Sequence, residues 1–304
     1  MSSLAFPSAA PPPGRLAIGV IGTGRVGSVL GAALAGVQHR VVAVSGVSEA
    51  SRNRAGTLLP QVPVVTPPEV CAAADLVLLT VPDDVLPDLV SGLAEVGAWR
   101  SGQIVAHTSG RFGVGVLAPA TQLGVVPLAL HPVMTFTGTS LDLDRLAGCV
   151  FGVTAPVAFV PIADALVLEV GGEPVHVLEE QRGLYHAALA HAANHLITLV
   201  TSSADLLRAS GIEDPSRVLQ PLLSASLDNA LRSGDSALTG PVARGDAGTV
   251  ARHIDAIGSV SMETRDAYIA LARLTALRAL ESGLLDATQA EPLLDALAAG
   301  SEDS

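Results

Sequence analysis

The stretch LAIGVIGTGRVG, residues 16–27, joins a short apolar run to three spaced glycines, Gly22, Gly24 and Gly27. A small-residue helical pattern follows as far as Leu34, so the G-x-G-x-x-G spacing stands between a predicted strand and a predicted helix. In that setting Gly22 makes the tight turn, Gly24 admits a pyrophosphate to the backbone, and Gly27 lets the helix pack on the strand. The stretch therefore predicts a dinucleotide site at a helix N-terminus. The predicted contacts are Gly22, Thr23, Gly24, Arg25, Val26 and Gly27.

The composition excludes several classes of function. A net charge of −12 and an isoelectric point near 5.0 oppose binding to nucleic acid or to an anionic membrane surface. All 17 basic residues are arginine, which rules out a lysine base, a Schiff base or a Walker-type lysine. Cys71 and Cys149 lie in apolar surroundings and are expected to be buried free thiols in a cytoplasmic protein. No apolar run is long enough to span a membrane.

The end of the second predicted strand, residues 41–45, bears on the choice of cofactor. NAD-binding domains of this type carry an acidic residue there, which binds the ribose 2′-hydroxyl. This chain has Ser45 at that place, and Arg52 and Arg54 follow in the next helical segment. A small hydroxyl with a nearby guanidinium suits a 2′-phosphate, which favours NADP. In the alternative interpretation Arg52 and Arg54 are solvated helix residues and Glu49 reaches the ribose.

Three later strands are predicted over residues 76–81, 103–107 and 125–131. In a doubly wound sheet, the carboxyl ends of such strands line the cofactor crevice. The residues expected there are Val81, Pro82 and Asp83 beside the nicotinamide, and Ser109, Gly110 and His131 beside a substrate carboxylate. Asp83 has a second interpretation, as the N-cap of the following helix.

The repeated strand–helix units end near residue 178, and helical periodicity dominates afterwards. The sequence therefore predicts an α/β fold: an N-terminal Rossmann-type parallel sheet domain followed by an all-α domain. The expected divisions are a disordered arm at 1–14, the dinucleotide-binding domain at 15–178 and a helical substrate and dimerisation domain at 179–300. The sparse charge of the helices after residue 181 predicts that they join two copies in a homodimer.

A long, nearly uncharged helix predicted over residues 181–209 should be a core helix, and it carries His186 and Asn194 two turns apart on one face. A buried polar group without a partner costs about 1–3 kcal/mol, and a bound substrate would supply the partner. Histidine suits a proton donor and asparagine suits carbonyl orientation. The alternative is a structural hydrogen-bonded pair. His191 and His195 lack a third ligand, so no metal site is expected.

Two further features complete the predicted site. The segment 238–246 is a loop that opens a helix, and its Arg244 is expected to bind a carboxylate bidentately. Its alternative is a plain helix-start loop. Should His186 not be the donor, His131 and His107 at the strand ends are the next candidates.

The motifs GTGRVG, LTVPDDVL, HTSG, LHPVMTF, YHAALAHAANHLITLV and LTGPVARGD, in this order, resemble one known family. It is the Rossmann-like oxidoreductase family with a helical C-terminal domain of formerly unknown function, related to ketopantoate reductase and pyrroline-5-carboxylate reductase. The resemblance implies a 6-phosphogluconate-dehydrogenase-like helical domain and an NADP-dependent reductase of a small 2-keto acid, with ketopantoate as the leading substrate. Related enzymes carry K-x-x-x-N on the central helix. Here Asn194 matches the asparagine, Ala190 replaces the lysine, and His186 is the stand-in.

Three other functions stay open at this point. One is an imine reductase of the pyrroline-5-carboxylate reductase type. Another is a prephenate-dehydrogenase-like enzyme, because His131-Pro132-Val133-Met134 is similar to the H-P-M turn of those proteins. The third, from a different class, is a non-catalytic NADP-binding sensor.

Overall fold

The computed structural model describes residues 14–302, without the side chains of residues 301 and 302. The arm predicted at 1–14 therefore lies outside the described residues, apart from Gly14. The chain divides into two compact units between His191 and Ala192. The boundary predicted at 178/179 remains a sequence-based prediction.

One sheet forms the centre of the first unit. Within the described residues its strands are β1 Ala17–Ile21, β2 Arg40–Ser45, β3 Leu76–Leu79, β4 Ile104–His107, β5 Val126–Pro132, β6 Val150–Thr154 and β7 Glu173–His176. Their order is β2-β1-β3-β4-β5-β6-β7, and every neighbouring pair is parallel except β5 and β6. The predicted α/β class with a mainly parallel sheet is confirmed. The antiparallel pair is a difference: Val133 N–H donates to the Val150 carbonyl at 2.8 Å, so β6 starts beside the end of β5 and runs back along it.

The helices agree closely with the periodicity of the sequence. Those of the first unit are α1 Arg25–Gly36, α2 Glu49–Leu58, α3 Pro67–Ala73, α4 Leu86–Glu95, α5 Ala118–Thr121, α6 Leu141–Arg145 and α7 Val160–Glu169. Next come α8 Arg182–Ala209, which runs across the division between the units, α9 Pro215–Ser233, α10 Ala247–Gly258, α11 Met262–Glu281 and α12 Ala287–Glu302. Between α2 and α3, Val64 forms an isolated bridge with Val44.

Strands buried on both faces hold the first unit together. In β3, Leu76 and Leu78 join one apolar core while Val77 and Leu79 join the other, as expected where helices cover both sides of a sheet. α1 contributes to the first core and α4 to the second. Cys71 and Cys149 are buried and free, as predicted. Burial raises the pKa of the Cys71 thiol to about 12, so it is unreactive.

The second unit has a small core of its own between α10, α11 and α12. In contrast, the prediction that α8 is a core helix is wrong for the single chain, because its apolar side chains are largely exposed. Exposed examples are Leu184, Leu196, Ile197 and Leu199. α9 likewise exposes apolar side chains, among them Leu222 and Leu231. Across residues 14–302, no helix has the length and hydrophobicity to cross a membrane.

The strand register determines where the carboxyl ends of the parallel strands lie. Ile21 pairs with both Ser45 and Leu79, and Leu79 pairs with His107, so β1 to β4 end side by side. β5 continues three residues beyond its pairing with β4 to reach Pro132. There His131 stands opposite Gly152 of the antiparallel β6.

Candidate functional site

The three glycines of the first turn differ in what surrounds them. Gly22 has a φ of 101°, and a side chain there would place its Cβ 2.7 Å from the Thr80 carbonyl oxygen. A Cβ on Gly27 would overlap the Gly22 carbonyl oxygen and Thr80 Oγ1, so α1 packs directly on the turn. In front of Gly24 there is open space, with no protein atom within 4 Å of the position of a Cβ.

This open space lies at the N-terminus of α1. Gly24 is the N-cap and supplies no side chain to the free N–H groups of Arg25 and Val26. Thr23 is fully buried, and its Oγ1 has no hydrogen-bond partner among the described residues. Free N–H groups at the positive end of a helix dipole, facing empty space, fit the pyrophosphate of a dinucleotide.

The end of β2 braces the same turn. The Ser45 carbonyl accepts hydrogen bonds from Gly22 N–H at 2.8 Å and from Thr23 N–H at 3.1 Å, while the Ser45 side chain is nearly buried. The exposed Arg52 bends back and donates from Nη1 to the Val47 carbonyl at 2.6 Å. Its guanidinium therefore lies over the loop that follows β2, where a cofactor 2′-phosphate would need a positive charge.

Two further arginines, Arg25 and Arg54, meet at Gly138. A Cβ on Gly138 would lie 3.0 Å from Arg25 Cγ and 3.1 Å from Arg54 Nε. This loop is fixed by the fully buried Asp142, which accepts hydrogen bonds from the N–H groups of Thr137 at 2.8 Å and Gly138 at 2.7 Å. Burial alone would raise the pKa of Asp142, but these hydrogen bonds hold it below its ordinary value.

The segment after β3 reaches the same edge. Thr80 Oγ1 donates to the Gly22 carbonyl at 2.5 Å, which ties the end of β3 to the glycine turn. Val81 and Asp83 are partly exposed beyond it. Asp83 is not an N-cap, because α4 begins at Leu86 after Val85. Burial lowers the pKa of His107 and of His131, whereas the negative charge of Asp83 raises both. The Asp83 carboxylate therefore lies near both imidazoles.

Two imidazoles pack against Gly110 at the ends of β4 and β5. A Cβ on Gly110 would lie 2.8 Å from His186 Cδ2 and 2.9 Å from His131 Nε2. The two rings are edge to face, with centroids 6.2 Å apart. Within residues 14–302, the His186 imidazole forms no hydrogen bond, and the His131 imidazole forms one, through Nδ1. Ring nitrogens that the protein leaves unpaired beside a backbone glycine are available to a substrate.

Two residues of α8 that sequence reasoning missed, Tyr185 and Arg182, fix the position of His131. Tyr185 Oη and His131 Nδ1 are 2.9 Å apart. The guanidinium carbon of Arg182 lies 5.6 Å from the centre of the Tyr185 ring. Burial, followed by the charge of Arg182, lowers the pKa of His131 to about 4, so this imidazole is neutral at neutral pH.

Arg182 is a buried cation that joins the strand ends. It donates to Thr154 Oγ1 at 2.8 Å and to three carbonyl oxygens. These belong to Gly152 at 2.9 Å, Ala129 at 3.1 Å and Ser109 at 3.4 Å. No carboxylate of the described residues lies within ion-pair distance of it. The positive charge is therefore left for an anion at this edge.

His107 and Ser109 are engaged by the protein. His107 is fully buried; its Nδ1 accepts from Ser109 N–H at 3.2 Å, and its Nε2 lies 2.8 Å from the Gly113 carbonyl. Burial lowers its pKa to about 4. Both nitrogens are thus used, which leaves His107 no role as a proton donor. Ser109 Oγ accepts from the N–H groups of Arg111 and Phe112 at 3.2 Å, so only its O–H remains for a ligand.

The remaining predicted residues, Asn194 and Arg244, belong to the second unit. Asn194 is exposed, so the premise that it is buried on α8 is wrong, and its proposed role rests on the match to the family asparagine. Arg244 is exposed in the turn before α10, and Asp246 caps that helix by accepting a hydrogen bond from Thr249 N–H at 3.0 Å.

Comparison with known proteins agrees with this architecture. Residues 7–132 match the Rossmann-like domain family, and residues 149–275 match the domain of unknown function DUF2520. Among curated proteins, none matches the chain.

Several solved structures share the fold. A Bacteroides fragilis protein described as an NADP oxidoreductase is 21% identical, with a TM-score of 0.70 over 86% of this chain and 98% of its own. An imine reductase from Pseudomonas sp. is 19% identical, with a TM-score of 0.63 over 93% and 99%. The imine reductase from Myxococcus stipitatus in complex with NADP+ is 18% identical, with a TM-score of 0.60 over 88% and 93%.

The resemblance drawn from the sequence motifs is thereby confirmed: a match to the Rossmann-like domain is followed along the chain by a match to DUF2520.

Proposed function

We propose that the protein is an NADP-dependent oxidoreductase that reduces a small 2-keto acid, with ketopantoate as the leading substrate. One observation carries the proposal. The open N-terminus of α1 at Gly24 and the imidazole pair on Gly110 both lie at the carboxyl ends of parallel strands of one sheet. In open α/β sheets this edge binds the ligand.

We assign the residues of the first unit separate roles in such a reaction. When bound, NADPH supplies the hydride for the carbonyl carbon. His186 gives a proton to the carbonyl oxygen, and its unpaired ring nitrogens leave it available for this. Ser109, Gly110 and His131 bind the substrate carboxylate, in the field of the buried Arg182. On sequence grounds alone, Asn194 orients the carbonyl and Arg244 binds the carboxylate.

Reduction of an imine is the second candidate. The Pseudomonas sp. and Myxococcus stipitatus structures described above are imine reductases, the second in complex with NADP+. The charge at the site favours a substrate with a carboxylate over an uncharged imine, because Arg182 has no carboxylate partner among the described residues. A 2-keto acid meets this condition, and so does a cyclic imine that carries a carboxylate.

A turnover screen separates these functions. NADPH oxidation is followed at its absorbance band over a panel of 2-keto acids, cyclic imines and prephenate, and the panel is repeated with NADH. We expect turnover of short, branched 2-keto acids with NADPH. Turnover of imines alone would assign the second candidate, and tight NADPH binding without any turnover would indicate a sensor.

Arg52 is expected to set the preference for the phosphorylated cofactor. Replacing Arg52 by Gln should weaken NADPH binding about tenfold or more and leave NADH binding within a factor of two. A hydrogen bond to a charged phosphate is worth roughly 1.5–3 kcal/mol. Isothermal titration with both cofactors measures this. The matched control is Arg232→Gln, which removes an exposed arginine paired with Asp228 on α9. Equal losses for NADPH and NADH would contradict the assignment.

The exposed apolar faces of α8 and α9 support a homodimer joined through the helices after residue 181. Ile197→Glu, at a position that is 62% exposed, should shift the protein towards monomer, because a charge would be buried in the contact. Val157→Glu, at a 91% exposed position in the first unit, should leave the dimer intact. Multi-angle light scattering over a range of concentrations measures both. A concentration-independent monomer of the unmodified protein would exclude the dimer.

We also propose that the protein is cytoplasmic. The two buried, unpaired cysteines support a cytoplasmic location, where thiols stay reduced.

A further inference from the structure

Tyr185 occupies a space that β6 leaves open for it. His131 on β5 stands opposite Gly152 on β6. A Cβ on Gly152 would overlap the Tyr185 hydroxyl, so only glycine lets the phenol reach His131. The result is the 2.9 Å contact between Tyr185 Oη and His131 Nδ1. The two rings are nearly perpendicular, at 88°.

The surroundings decide which atom donates in this contact. The Arg182 guanidinium lies over the Tyr185 ring, and a nearby cation strengthens the phenol as a hydrogen-bond donor. His131 is neutral and carries a single ring proton. When Tyr185 donates to Nδ1, that proton must be on Nε2. Nε2 is the nitrogen beside Gly110, and no described residue is hydrogen-bonded to it.

We propose that Tyr185 is a positioning residue that holds His131 in the Nε2–H tautomer, so that His131 donates a hydrogen bond to the substrate carboxylate. The substrate part rests on the proposed function, whereas the tautomer part does not. A neutral N–H donor beside the unpaired cation Arg182 suits an anionic oxygen, which accepts a stronger hydrogen bond than a neutral one. Tyr185 itself has no contact with substrate in this scheme.

The tautomer can be measured without any substrate. The protein is labelled with ¹⁵N-histidine, and the long-range ¹H–¹⁵N spectrum gives the protonation of each ring nitrogen. The His131 signal is the one lost in His131→Gln. We expect Nε2–H in the unmodified protein and a mixture of both tautomers in Tyr185→Phe. Nδ1–H in the unmodified protein, or an unchanged spectrum in Tyr185→Phe, would overturn the proposal.

Steady-state kinetics test the substrate part. In Tyr185→Phe we expect the KM for the keto acid to rise about five- to tenfold, while kcat changes less than twofold. A matched control exists in the second unit, where Tyr268 Oη and His253 Nδ1 form the same contact at 3.0 Å. Tyr268→Phe should leave both constants unchanged. An unchanged KM in Tyr185→Phe would overturn the role towards substrate. Failure of the reductase proposal would appear instead as no turnover by the unmodified protein.

Discussion

Replacing Arg182 by Met is expected to lower the free energy of unfolding of the first unit by roughly 3 kcal/mol or more. Methionine has a similar length but no donors, so Thr154 Oγ1 and three carbonyl oxygens all lose the hydrogen bond that Arg182 donates, although the Thr154 hydroxyl still donates to the Val177 carbonyl. A buried acceptor left without a hydrogen bond costs about 1–3 kcal/mol, and part of this loss is recovered because the cation is no longer buried.

Urea unfolding followed by fluorescence measures the effect, because the chain has a single tryptophan and Trp99 is buried in the first unit. The control is Arg208→Met, which removes an exposed arginine paired with Asp205 and should change stability by about 0.5 kcal/mol at most. A loss below about 1 kcal/mol in Arg182→Met would mean that water replaces the guanidinium.

Replacing His186 by Ala is expected to lower kcat about 100-fold or more while NADPH affinity stays nearly unchanged. Loss of a general acid has this effect, because the donor acts in the transition state and not on the bound cofactor. Stopped-flow single turnovers and an NADPH titration measure the two quantities separately. His176→Ala is the control, since His176 is exposed on β7 beside Asp164 in the same unit. If His186→Ala retained most of the rate, the proton donor would be His131 instead.

A second variant tests the same place without removing an imidazole. Gly110→Ala puts a methyl group 2.8–2.9 Å from both rings, which no ordinary contact allows, so His131 and His186 must move apart. Turnover should fall together with substrate affinity. Unchanged kinetics in Gly110→Ala would show that the imidazole pair is not the substrate site.

The local signals of the sequence were sufficient for the elements and for the glycine turn. Gly22, Gly24 and Gly27 could be recognised because strand, turn and helix are adjacent in the chain. Gly22 and Gly27 are required for steric reasons, whereas Gly24 faces open space. The ends of β3, β4 and β5 could be predicted in the same way, since continuous apolar runs stop there.

The sequence did not reveal contacts between distant segments. Arg182 bonds to residues 28 to 73 positions away, and nothing in its local pattern separates it from a solvated helix-start arginine. Tyr185 can reach His131 only because Gly152, on another strand, has no side chain. The closest available signal was that Tyr185 precedes His186 in an otherwise apolar helix. The burial of α8 was misjudged because apolar composition does not say whether the covering surface belongs to the same chain.

The central claim is that hydride passes from NADPH to the carbonyl carbon of a 2-keto acid at this site. Deuterium transfer tests it most directly. The protein is incubated with ketopantoate and NADPH that is deuterated at C4, on one face and then on the other, and the product is analysed by mass spectrometry. We predict one deuterium at C2 of the hydroxy acid from one of the two faces, in proportion to the NADPH oxidised. A product without deuterium from either face, or no NADPH oxidation with any 2-keto acid, would contradict the claim.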